Sequence, residues 1–97
     1  MDELRFEWDE RKNRQNQKRH RVSFEEARGV FFDEHALEFY DEGHSKTEDR
    51  FLLLGLSARL RVLLVSYCIR KGGSVIQIVS ARKATKNEQK SYPGFQP

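Results

Sequence analysis

The chain has 97 residues, enough for one domain spanning 1–97 and too few for two. Charged residues make up 34% and apolar residues 37%, which excludes a disordered polyampholyte and points to a small folded protein. The net charge of +3 hides a segregation by position: residues 11–21 hold six bases and no acid, 22–50 hold nine acids against three bases, and 51–97 hold eight bases against one acid. Such blocks predict basic and acidic faces, with a polyanion as a natural partner for the former and plain solvation as the alternative.

The longest apolar runs, within 51–56 and 62–65, fall far short of the roughly 18 residues a membrane span needs, so no membrane association is expected. No leader peptide is expected either. Cys68 has no second cysteine to pair with, which excludes a disulfide framework and any C-x-x-C motif and fits a reducing cytoplasm.

In chain order, "LRFEWD" alternates Leu4, Phe6 and Trp8 with polar residues, the pattern of a half-buried strand. Asp9 then predicts an N-cap for a helix over "RKNRQNQKRHR", which lacks an apolar stripe and depends on its neighbours for stability. Ser23 and Glu26 have the spacing of a capping box opening a second helix, with Phe24, Ala27 and Phe31 on its apolar face. "ALEFYD" predicts a short strand and "DEGHSKTED" an acidic turn. "RFLLLGLS", "RVLLVSYCI" and "SVIQIVSA" predict three strands joined by short links into antiparallel hairpins. Thr85 and Glu88 predict a second capping box and a terminal helix ended by Pro93 and Gly94. Two helices, a mostly antiparallel sheet and a C-terminal helix make an α+β domain with one sheet face left open.

His20, His35 and His44 lack the spacing of a metal site, and no phosphate-binding glycine loop or nucleophile elbow is present, so no metal and no cofactor is expected. A basic set remains: Lys12, Arg14, Lys18, Arg19, His20 and Arg21 in the first helix, and Arg59, Arg61, Arg70, Arg82 and Lys83 near strand ends. RNA can be cleaved by its own 2′-hydroxyl if a base, an acid and phosphate-stabilising cations are supplied. Arginine suits the cation role through its planar fork, and histidine the proton-transfer role, which makes His20 the first candidate. A basic nucleic-acid-binding module without chemistry accounts for the same residues.

"FEWDERKNRQNQKRHRVSFEEARGVF", "HSKTEDRFLLLGLS" and "IVSARKATKNEQKSY" resemble the BrnT family, the toxin half of BrnT–BrnA type II toxin–antitoxin modules, from Phe6 to Tyr92. The resemblance implies a RelE-like fold and a metal-independent ribonuclease that arrests translation. It also implies a BrnA-type ribbon-helix-helix antitoxin as partner, in a heterotetramer of two toxins and two antitoxins that reaches operator DNA only through the antitoxin. Together with the basic set, it makes His20, Arg61, Arg70 and Arg82 the candidate catalytic group, and Lys12, Asn16, Lys18, Arg19 and Lys83 the candidate RNA contacts. Glu48, Glu88 and Tyr92 are acid–base or structural candidates. The chain departs from the family's common pattern at Arg21 and Leu60, where glycine is usual, and at Gln77, where arginine is usual.

Overall fold

The computed structural model describes residues 4–95. Its elements are β1 (Arg5–Glu7), α1 (Glu10–His20), α2 (Phe24–Gly29), β2 (Leu37–Tyr40), β3 (Arg50–Leu56), β4 (Val62–Arg70), β5 (Val75–Lys83) and α3 (Lys86–Gln89). The five strands form one sheet in the order β1-β5-β4-β3-β2, antiparallel throughout except that β1 pairs parallel with β5. The expected α+β architecture is present, and among the described residues no helix is long and apolar enough to cross a membrane.

One sheet face carries the main core. Leu53, Leu63, Val65, Tyr67, Ile76, Ile78 and Ala81 pack there against Val22, Phe24, Ala27 and Val30 from α2 and its flanks. The helical chain tightens into a 3-10 turn at Val30–Phe32, which sets Phe31 edge-on to Phe6 and Tyr67 with ring centroids 5.2 and 4.9 Å apart. Gly55 lets this turn lie directly on β3, because a Cβ there would meet Val30 Cγ1 at 2.7 Å. Asp33 then fixes the turn, accepting from the Leu56 amide at 2.8 Å and the Tyr92 hydroxyl at 2.5 Å.

The polar helix α1 is held by asparagines in place of an apolar stripe. Its buried residues are Asn13 and Asn16. β1 covers the edge of β5 only over Val75–Gln77, which leaves the later edge without a strand partner. Asn16 substitutes for one: its amide donates to the Ala81 carbonyl at 2.8 Å and accepts from the Ala81 N–H at 3.1 Å, while also donating to the Val22 carbonyl at 2.8 Å. Asn13 accepts from the Phe24 N–H at 2.9 Å and so pins the start of α2. Buried backbone groups must be paired, and both side chains meet that need.

Several expectations are corrected in detail. The first strand shrinks to three residues, leaving Leu4 exposed and Trp8 beyond it, edge-on to Phe24 at 6.1 Å. Trp8 is therefore packing. Ser23 caps α2 through the Glu26 N–H at 3.0 Å, but the Glu26 carboxylate turns to Ser57 and Arg61, so the reciprocal half of that capping box is not made. The Thr85–Glu88 box is complete, although the helix it opens is only four residues long.

Arg21 and Leu60 occupy left-handed backbone, with φ of 58° and 62°. These are the two sites where the resembled pattern carries glycine, and left-handed backbone costs a non-glycine residue about 1–2 kcal/mol. Leu60 is 77% exposed and has little packing to lose. Leu60→Gly should stabilise the fold by about 0.5–1 kcal/mol after the entropy of the unfolded glycine is subtracted. Chemical denaturation would show this as a higher midpoint at constant slope.

Candidate active site

The second sheet face is shaped by one irregularity. Ser66 pairs with Ser80 and Tyr67 with Ile78, so Val79 is an extra residue in β5. Side chains alternate along a strand, and a bulge exchanges the faces beyond it. Ile76 and Ile78 point to the core before the bulge and Ala81 after it. Ser80 and Arg82 are thereby turned to this second face, in cross-strand rows with Ser66 and Leu52, and with Leu64 and Leu54; Leu54 and Leu64 pack there with Tyr92 in a second, smaller core, and the face is open beside it.

A cleft of about 500 Å³ lies over this face, lined by Arg19 and His20 from the end of α1, Asp41 and His44 from the β2–β3 loop, and Arg50, Leu52, Leu64, Ser66, Ser80, Ala81 and Arg82 from the sheet. A smaller recess of about 230 Å³ continues it between α1 and the bulge, lined by Lys12, Gln15, Asn16, Arg19, His20, Val79 and Ser80. The larger cleft contains three arginines and two histidines against one acid. Its charged lining is mainly basic, as an anionic ligand requires, and Leu52, Leu64 and Ala81 form its apolar floor. Among the described residues, no group of three His, Cys, Asp or Glu could hold a metal ion.

The loop is ordered by Ser45, whose hydroxyl donates to the Asp41 carbonyl at 2.5 Å and accepts from the Arg50 N–H at 3.0 Å. This closure brings Asp41, His44 and Arg50 to one side of the cleft. His44 Nδ1 lies 3.0 and 3.2 Å from the two Asp41 carboxylate oxygens. The Nε of Arg50 is buried and has no hydrogen-bond partner.

Of the four residues expected to act in catalysis, the structure brings together His20 and Arg82. Arg61 lies elsewhere, its fork clamped on the nearly buried Glu26 and on the Arg21 carbonyl. Arg70, at the far end of β4, pairs with Glu48 at 2.9 Å. Arg82 is itself bidentate with Glu88, at 2.8 and 2.9 Å. All three arginines thus have carboxylate partners, which the sequence spacing did not reveal.

Of the expected RNA contacts, Lys12 and Arg19 line the recess, and Arg19 also lines the main cleft. Lys18 is exposed outside both. Lys83 ends β5 on the core side of the pleat, opposite Leu63. Asn16, expected at the RNA, is 8% exposed with its amide engaged by backbone groups, as described above. Tyr92 is buried at 2% exposure, and burial with the Asp33 hydrogen bond pushes its phenol up to about 12, which suits a packing role. Gln77 shares a cross-strand row with Cys68 and Arg50.

Asp41, His44, Arg50, Ser66 and Ser80 were absent from the expected site. The two serines interrupt otherwise apolar strands, a signal that was available in sequence. The bulge that aligns them was not.

The carboxylates predict acid sensitivity. Hydrogen bonding to Arg82 is the main cause holding Glu88 at about 2, against an ordinary value near 4.5. At Glu26 burial opposes ionisation, but hydrogen bonds from Arg61 and Ser57 outweigh it and lower the pKa. A depressed carboxylate stabilises the fold above its unfolded pKa, and that stabilisation is lost as pH falls toward the folded value. Thermal unfolding followed from pH 7 downward should therefore decline mainly between about pH 5 and pH 2, and Glu88→Gln should flatten part of that decline.

A family model described as "Ribonuclease toxin, BrnT, of type II toxin-antitoxin system" matches residues 8–88. Among solved structures, the chain is similar to the Brucella abortus ribonuclease toxin BrnT, with a TM-score of 0.64 and 21% sequence identity, covering 86% of this chain and 99% of that one. At that identity the likeness establishes a shared fold. No curated protein matches the chain.

Proposed function

Because the chain belongs to the BrnT family of ribonuclease toxins of type II toxin–antitoxin systems, we propose that it cleaves RNA in the cleft over the open sheet face and thereby inhibits translation in the cytoplasm. Family membership implies an antitoxin partner. We assign that role to a BrnA-type ribbon-helix-helix protein, in a complex of two toxins and two antitoxins that represses its own operon. The observation carrying the catalytic reading is the cleft itself, where His20 and Arg82 from distant parts of the chain meet Arg19, Arg50 and His44.

The reaction uses the substrate's own 2′-hydroxyl as nucleophile, so its basic requirements are proton transfer and charge stabilisation at phosphorus. His20 serves as a proton-transfer group at the cleft wall. Arg19 and Lys12 lead the RNA backbone in along the recess. Arg82 can meet phosphate oxygens while Glu88 keeps its fork oriented. No bound metal is invoked in this scheme.

Purified protein incubated with RNA in excess EDTA should yield discrete products, and His20→Ala should lower the rate on the order of 100-fold or more. Binding of RNA by the wild-type protein without any product would replace this reading with a non-catalytic one. The presence of Gln77 where the resembled pattern has a cation on the open face gives that alternative its specific ground.

A further inference from the structure

We propose that His44 is a second catalytic residue, paired with His20 across the cleft, and that Arg50 binds the scissile phosphate between them; this rests on the ribonuclease reading above. The two histidines lie 24 positions apart in sequence, one ending α1 and the other in the β2–β3 loop, yet both line the same cleft. Cleavage of RNA through its 2′-hydroxyl needs two proton-transfer groups on opposite sides of one phosphate. His20 alone supplies one.

His44 is held in a defined orientation. The Asp41 carboxylate, with a side chain only 15% exposed, takes its Nδ1 at 3.0 Å, while the imidazole itself is 69% exposed. With Nδ1 engaged by a half-buried carboxylate, Nε2 is left for the ligand, an arrangement in which a carboxylate fixes the ring and its tautomer. Asp41 is thus a positioning residue. Arg50 differs from Arg61, Arg70 and Arg82 in lacking any carboxylate partner among the described residues, and its Nε is buried without an acceptor. With no carboxylate on it, the Arg50 guanidinium at the cleft wall is the fork left to meet phosphate oxygens.

In the reaction, one imidazole takes the 2′-hydroxyl proton as the 2′-oxygen bonds to phosphorus. The bond from phosphorus to the 5′-oxygen breaks, and the other histidine, starting as imidazolium, gives its proton to that oxygen. The products are a 2′,3′-cyclic phosphate and a 5′-hydroxyl. One histidine gains the proton that the other loses, so the pair balances and bulk solvent resets it. Arg50 offsets the charge that builds on the non-bridging oxygens.

The test is steady-state cleavage of a synthetic RNA oligonucleotide. His44→Ala should lower kcat about 100-fold or more with KM and the thermal transition unchanged, and added imidazole should restore part of the rate. Asp41→Asn should lower kcat about tenfold without moving KM, a split that a purely loop-ordering role would not produce. Arg50→Ala should reduce kcat/KM about 100-fold, with Arg50→Lys recovering only part because it lacks the planar fork. A folded His44→Ala protein cleaving within about threefold of wild type overturns the pairing while leaving the ribonuclease reading intact. An unchanged kcat/KM in folded Arg50→Ala overturns the phosphate assignment. No cleavage by the wild-type protein removes both readings together.

Discussion

Replacing Asn16 with alanine should cost on the order of 3–5 kcal/mol, enough to unfold much of a domain this small at physiological temperature. The amide joins three buried backbone groups, the Val22 carbonyl and both the carbonyl and N–H of Ala81. Each group left buried without a partner costs about 1–3 kcal/mol, and partial entry of water keeps the total below the full sum. Asn16→Asp should be nearly as damaging, because a carboxylate can accept from the Ala81 N–H but cannot donate to either carbonyl. Lys12, one helical turn earlier and exposed, provides the contrast. Lys12→Ala should leave the denaturation midpoint unchanged and weaken RNA binding with a shallower salt dependence. Denaturant titration of the three variants checks the assignment of Asn16 to the fold and Lys12 to the ligand.

Arg61→Ala should destabilise by about 3–5 kcal/mol, because it strands the Glu26 carboxylate, whose side chain is 5% exposed, with Ser57 as its remaining strong partner. The double variant Glu26→Gln/Arg61→Leu should recover most of that loss, since a buried ion pair replaced on both sides is often close to neutral. Toxicity lost in Arg61→Ala and regained in the double variant would assign the residue to folding. Toxicity still absent from the refolded double variant would return it to the chemistry.

These two residues show where the sequence stops being legible. Strand-length apolar runs located the later strands, and the Asp9, Ser23 and Thr85 caps placed three helix starts, because each signal is local and the backbone needs it there. The parallel pairing of β1 with β5 leaves no local trace. The polar α1 was readable as a helix needing support, but its support comes from Asn13 and Asn16, a residue type that sequence reasoning sends to the surface. Likewise Arg61, Arg70 and Arg82 read as equivalent strand-end cations. Their differences arise from Glu26, Glu48 and Glu88, which lie between 6 and 35 positions away in sequence.

The site was legible only in part for the same reason. His20 could be singled out by residue type, but the extra residue Val79, which turns Ser80 and Arg82 toward it, is an ordinary valine in an apolar run. Arg50 and His44 both lie in the "HSKTEDRFLLLGLS" stretch that carries the resemblance, where Ser45 organises a loop network. The sequence could not show that this network carries the two side chains to the cleft that His20 also lines.

RNA in the cleft over the open sheet face can be seen by titrating the isotope-labelled protein with a 2′-O-methyl RNA oligonucleotide, which cannot be cleaved, and following it by NMR. The His20 and His44 imidazoles, the Arg50 Nε–H and the Ser66 and Ser80 amides should shift together with one affinity, while the β2 edge and α3 stay in place. Shifts confined to β2 or α3, with the two imidazoles unmoved at saturation, would contradict that placement.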